Sequence, residues 1–151
     1  MALTQVQTGM LGTGAVLQVV QATYGTQVST TSTTPVATGL TATITPKFAT
    51  SKILIMVSQN GIGVSGNQYS GYCANLYRNS TGLVTFASSY LYTASTISQG
   101  NGCATVNYLD FPATTSATTY STSMFQQAGG AGNVISQAGS VSTITLMEIA
   151  G

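Results

Sequence analysis

Asp110 and Glu148 are the only side-chain carboxylates in this 151-residue chain, and Lys47, Lys52 and Arg78 are its only cations. Histidine and tryptophan are absent. A glycosidase working through paired carboxylates would have to bring both acids into one cleft, one protonating the leaving oxygen and the other acting as nucleophile or base. Such clefts also grip sugar with further polar and aromatic groups, Trp above all. The plainer role for each acid is a salt bridge or a hydrogen bond to turn amides, with Lys47, Lys52 or Arg78 as partner. A serine nucleophile would find no histidine to take its proton, and no Ser-x-x-Lys replaces one. Cys73 and Cys103 are too few to enclose a zinc ion without histidine. They read as reduced, half-buried core thiols, with a disulfide between neighbouring strands as the alternative. The chain is therefore expected to be non-enzymatic and to need no cofactor.

Two short motifs invite chemistry and are better explained by backbone geometry. Gly61-Ile62-Gly63-Val64-Ser65-Gly66 spells G-x-G-x-x-G after a strand. The dinucleotide fingerprint also needs a following helix and an acid about twenty residues on, and both are missing, so a turn between strands is expected there. Asn79-Ser80-Thr81 fits the glycan acceptor pattern, but Asn at a hairpin turn is accounted for by its tolerance of left-handed angles.

Charged residues make up 3% of the chain against roughly a quarter in ordinary globular proteins. Thr (26), Ser (17), Gln (11) and Asn (7) carry the polarity. With 43% hydrophobic residues the chain is built to fold rather than to stay disordered. Three scattered cations cannot neutralise a run of phosphates, which argues against nucleic acid as a partner. The longest aliphatic run, 53–57, is far short of the ~20 residues of a membrane-spanning helix. The first ten residues lack the basic and apolar regions of a secretory signal, so synthesis and retention in the cytosol are expected unless a larger assembly carries the chain out. Near-zero net charge together with eight Tyr and four Phe favours self-association.

The elements that must position these residues are strands. No segment carries a helical 3,4 repeat over three turns. Strands are expected at 15–24, 36–45, 52–59, 69–78, 83–92, 103–111, 118–127 and 141–149, separated by Gly, Asn, Ser, Thr and Pro clusters. Leu40, Ala42 and Ile44 alternate with Thr41, Thr43 and Thr45, and Ile144, Leu146 and Glu148 with Thr143, Thr145 and Met147. The segment 52–59 is apolar on both faces and is expected centrally, covered on both sides. Eight antiparallel strands of this length suit an all-β, jelly-roll-like sandwich, with an immunoglobulin-like sandwich as the second choice. The head domain spans 15–151. Residues 1–14 form a short extended N-terminal arm whose Leu3, Val6, Met10 and Leu11 are the candidate docking side chains.

Four runs in order, 38–46 (TGLTATITP), 51–55 (SKILI), 112–120 (PATTSATTY) and 142–149 (STITLMEI), resemble a module of tailed-bacteriophage structural proteins, the exposed globular head of fibres and head-decorating proteins. The likeness covers residues 16–150. The opening Leu3-Thr4-Gln5-Val6-Gln7-Thr8-Gly9-Met10 is similar to the short repeat that precedes this module in longer fibre proteins; here one such unit stands without a shaft. The resemblance implies a homotrimeric virion protein with a jelly-roll head, assembled in the host cytoplasm and held to other virion proteins, the capsid foremost, by its arm. The alternative within the same family is a tail-fibre or tail-tip adhesin for a host glycan or protein, with 61–68, 93–102 and 128–139 gathered at one end as binding loops. Those three stretches contain no tyrosine, which weighs against the adhesin.

Overall fold

A computed structural model of the chain describes residues 12–66, 69–93, 97–127 and 132–151. Their regular structure is all strand, arranged as two antiparallel sheets packed into a sandwich. In the first sheet β1 (Val16–Tyr24), β10 (Ser142–Ile149), β4 (Lys52–Gly66) and β7 (Ile97–Asp110) lie side by side. In the second, β3 (Val36–Ile44), β8 (Thr118–Gln126), β5 (Ser70–Arg78) and β6 (Thr81–Thr93) do the same. These eight strands follow the 1-10-4-7 and 3-8-5-6 orders of a jelly roll, as the strand count had suggested.

Two further strands were not expected. The Ser/Thr-rich stretch after β1 contains β2 (Val28–Thr30), and the Gly-rich stretch after β8 contains β9 (Asn133–Ser136). They pair with each other, and β9 pairs with the far end of β4, so the first sheet widens at that end to six strands. Residues 61–66 are accordingly not a turn but the second half of the 15-residue β4. Ile62 and Val64 point inward and are fully buried, which holds the glycine-rich stretch in the sheet. Gly61 has φ +57, and a side chain there would meet the Ala138 backbone nitrogen at 2.5 Å. Only glycine allows the 137–139 segment to approach so closely.

Alternation determines the core. Leu40, Ala42 and Ile44 on β3, Tyr72, Ala74 and Leu76 on β5, and Ile144 and Leu146 on β10 are buried, alternating with outward-facing Thr on β3 and β10 and with Cys73, itself buried, and Asn75 on β5. The core has two apolar clusters. One is built around Leu40, Ile44, Ile53, Ile55, Tyr120 and Leu146, the other around Ile62, Val64, Tyr72, Met124 and Val134. Between them, at one level of the strands, lies a chain of neutral hydrogen bonds. The Thr38 hydroxyl pairs with that of Thr122, Thr122 donates to Gln59 Oε1 (3.0 Å), and Gln59 Nε2 donates to Ser142 Oγ (3.1 Å).

The expectation for 52–59 is half met. β4 is central in its sheet, flanked by β10 and β9 on one edge and β7 on the other. Its inner side chains Ile53, Ile55 and Val57 are buried, whereas Leu54 and Met56 on the outer face are only half-buried and no described element packs over them. Cys73 is buried, and its sulfur accepts the Ser89 N–H. Cys103 is exposed on β7 rather than part of the core, and both thiols are free. Asn79 takes φ 52 at the β5–β6 turn, accepting from Thr119 N–H through Oδ1 and donating its own N–H to the Thr119 carbonyl.

Gly39 tests how strictly the backbone depends on glycine. It has φ +86 at a break in the β3–β8 register, and an added Cβ would lie 2.4 Å from the Tyr24 ring. Gly39→Ala is expected to cost more than the ~1–2 kcal/mol of a left-handed alanine. Gly139→Ala, at φ +60 with nothing within 4 Å, should cost only that backbone strain. Paired urea melts of the two variants measure the difference.

Candidate functional site

The two carboxylates enter from opposite sides of one residue. Asp110 on β7 and Glu148 on β10 both pair with Ile53 on β4, so both side chains point into the sandwich at the same level. Two strand spacings put their backbones about 10 Å apart, with the buried Ile53 side chain between them. They therefore do not share a cleft.

Each is bound by its own set of groups. Arg78 Nη1 donates to both oxygens of Asp110 at 2.9 and 3.0 Å, and the buried Tyr120 hydroxyl donates to Oδ2 at 2.7 Å. This triad ties β5 and β8 of one sheet to β7 of the other. Burial pushes the Tyr120 phenol far up, and its hydrogen bond to Asp110 adds to the rise. At Glu148, Oε1 accepts the Lys47 N–H (2.7 Å) and Oε2 the Gln18 side-chain amide (2.5 Å). Burial alone would raise the Glu148 carboxyl, but the Ser51 hydroxyl, the Gln18 amide and the Lys47 and Phe48 N–H groups outweigh it and hold it below the usual range. Glu148 thus fastens the turn between β3 and β4 to the end of β10. Lys47 Nζ bonds the Leu17 carbonyl, and Lys52 lies 5.3 Å from the centre of the Phe111 ring.

The chain enters and leaves at this same end. Gly14 N–H donates to the Ala150 carbonyl and Ala150 N–H to the Ala15 carbonyl, both at 2.8 Å. The docking side chains Leu3, Val6, Met10 and Leu11 lie outside the described residues, but the root of the arm is fixed beside the last strand.

The opposite end carries the stretches expected to gather there. Gly63 pairs with Asn101 on β7 and with Ile135 on β9, so parts of 61–68, 93–102 and 128–139 do converge, as strands rather than loops. Tyrosines missing from those stretches flank them. Tyr69, Tyr90 and Tyr92 are exposed on the adjoining ends of β5 and β6, and the Tyr90 ring lies against Gly102. This aromatic group was hidden in the sequence because it forms only when β5 and β6 pair. A shallow depression elsewhere, lined by Asn75, Gly82, Leu83, Val84 and Thr85, contains no titratable group. Among the described residues no group of three or more His, Cys, Asp or Glu could hold a metal ion. No protein-family model matches the chain, and no curated protein matches it.

Two predictions follow from the buried titratable groups. Glu148 is ionised more readily folded than unfolded, so its contribution is complete above its ordinary value of about 4.5 and is lost as pH falls through the lower folded value. Glu148→Gln should lower stability at pH 7 and flatten the acid limb of a stability–pH curve below about pH 5. At high pH the sign reverses. Tyr72, buried and hydrogen-bonded to Ser136, has its phenol pushed up to about 12, and Tyr120 is raised as well. Their stabilisation is complete below pH 10 and falls as pH rises from 10 toward 12. Ultraviolet titration should show these two of the eight tyrosines ionising only as the protein unfolds. Separately, Arg78→Ala strands Asp110 beside a buried phenol and should cost about 3 kcal/mol in denaturant melts.

Proposed function

We propose that the chain is a non-enzymatic structural protein of a tailed-bacteriophage particle, a homotrimeric knob on the capsid held by its N-terminal arm. The ordered sequence runs named above are the source of the phage assignment. The observation that carries the architectural part is the polarity of the molecule. The arm root, the C-terminal strand and both carboxylate clusters are concentrated at one end, so a pull on residues 1–14 passes directly into β1 and β10 and the bonds beneath them. Sequestration of both acids by structural partners suits a knob that must resist a pull on its arm and leaves them badly placed for hydrolysis.

A second reading, the tail-tip adhesin, is favoured by one specific feature. Tyr69, Tyr90 and Tyr92 stand exposed at the end farthest from the arm, where a host glycan or protein would be met.

Immunogold electron microscopy of intact particles with an antibody to 15–151 separates these readings. Label over the head is the expected result. Gold confined to the tail would replace the capsid reading with the adhesin, and particles without label, intact or opened, would overturn both. In the full chain, Leu3→Ser, Val6→Ser, Met10→Ser and Leu11→Ser together should remove the label from particles while leaving the melting temperature of the head unchanged.

A further inference from the structure

The two outer faces of the sandwich are made from the same charge-poor sequence, yet they differ in kind. On the β3–β8–β5–β6 sheet most outward positions are hydroxyl and amide groups, Thr43 opposite Thr119, Thr41 opposite Ser121, and Asn75 opposite both Thr85 and the buried Ser123, with Tyr77 and the Cys73–Phe125 pair as the apolar exceptions. Hydrogen bonds such as Thr85 Oγ1 to Asn75 Oδ1 and Thr43 to Thr119 run across it. That face suits water.

On the other sheet the register aligns apolar side chains across all four long strands. Val19 on β1 pairs with Met147 on β10, Met147 with Leu54 on β4, and Leu54 with Leu109 on β7. One level nearer the arm, Val16 pairs with Ile149 and Ile149 with Lys52, over which the Phe111 ring is stacked. Val16 is 50% exposed, Val19 54%, Leu109 43% and Phe111 60%. At about 150–200 Å2 per side chain, these four alone expose on the order of 350 Å2, comparable to the largest apolar patch of a typical monomer, which is often functional. The next row, Gln21, Thr145, Met56 and Asn107, is polar at all but Met56, and the row beyond it, Thr23, Thr143, Ser58 and Thr105, is polar throughout.

We infer that this face of the β1–β10–β4–β7 sheet packs against further copies of the same chain, with Val19, Met147, Leu54 and Leu109 at the centre of the contact. The patch supplies roughly half of the about 800 Å2 per partner of a standard interface, and the surrounding Thr, Gln and Asn positions supply a rim of the usual polar kind. Charge selects the partner. Lys52 is the face's one charge, already covered by an aromatic ring, so a matching surface must be broad, flat and almost without charge. Ordinary protein surfaces are about a quarter charged or more, whereas a second copy offers the required surface by construction. This inference rests on the assembly part of the proposed function and names the surface that performs it.

The test is the mass of the full chain in solution by light scattering and native mass spectrometry over a concentration series. The wild type is expected to be oligomeric. Val19→Lys with Leu109→Lys, at exposed positions on β1 and β7, should weaken association on the order of a hundredfold while the dissociated chain keeps the far-ultraviolet circular dichroism of the folded sandwich. Thr43→Lys with Thr85→Lys, on the opposite face, should leave the mass unchanged. A monomeric wild type, or an oligomer that survives Val19→Lys with Leu109→Lys, would overturn the inference. So would dissociation caused by Leu3→Ser, Val6→Ser, Met10→Ser and Leu11→Ser, since the arm would then be the cover. An oligomer that survives the lysines leaves the particle reading standing, while an unlabelled particle undoes that reading without touching the oligomer result.

Discussion

A sandwich with five charges must satisfy its buried polar groups with neutral donors and acceptors, and the Thr38–Thr122–Gln59–Ser142 chain is where that requirement is met. The chain crosses from β3 and β8 in one sheet to β4 and β10 in the other, at a level where an apolar residue on any one strand would leave its neighbour unpaired. Ser142 Oγ accepts from the Asn60 N–H and the Gln59 amide, and the Gln137 amide nitrogen approaches it at 3.3 Å. That single hydroxyl thereby sets the start of β10, the middle of β4 and the approach of the 137–139 segment. Shifting β4 by one residue would turn Gln59 outward and Ile53 with it. The polar chain therefore specifies register, while the apolar clusters on either side supply most of the burial.

The same economy governs the ionised groups. Asp110 and Glu148 are both buried, and each is surrounded by donors that reach it from at least two strands or turns. Their placement on either side of Ile53 gives the arm end of the sandwich two cross-braces, one to the second sheet through Arg78 and Tyr120 and one to the turn before β4. At the other end Tyr72 and Ser136 perform the same joining without any charge. The two ends of the fold are thus held by different chemistry: acid loosens the arm end through Glu148, whereas alkali acts at both ends, through Tyr120 and Tyr72.

Much of this could be read in the residues. Thr alternating with Leu, Ala and Ile gave β3 and β10 almost to the residue, and the antiparallel two-sheet architecture followed from strand count and short connections, whereas the order of strands within each sheet did not. The misreadings have a common cause. β2, β9 and the far half of β4 are rich in Ser, Gly and Asn, whose local preference is for turns, and only pairing with one another makes them strands. The exposure of Cys103 and the grouping of Tyr69, Tyr90 and Tyr92 depend on which strands become edges, which no short window reveals. Asp110 and Glu148 were legible as structural acids, though their shared neighbour Ile53 was not.

β1 and β10 lie side by side, and the bonds joining Gly14 and Ala15 to Ala150 bring the entry and exit of the domain within one residue pair of each other. A unit whose two ends coincide can be spliced into a loop of another polypeptide with little distortion of either, since the host chain need only open by the width of a strand pair. The jelly roll described here is in that sense a portable part, joined to the rest of a chain at a single point on its surface.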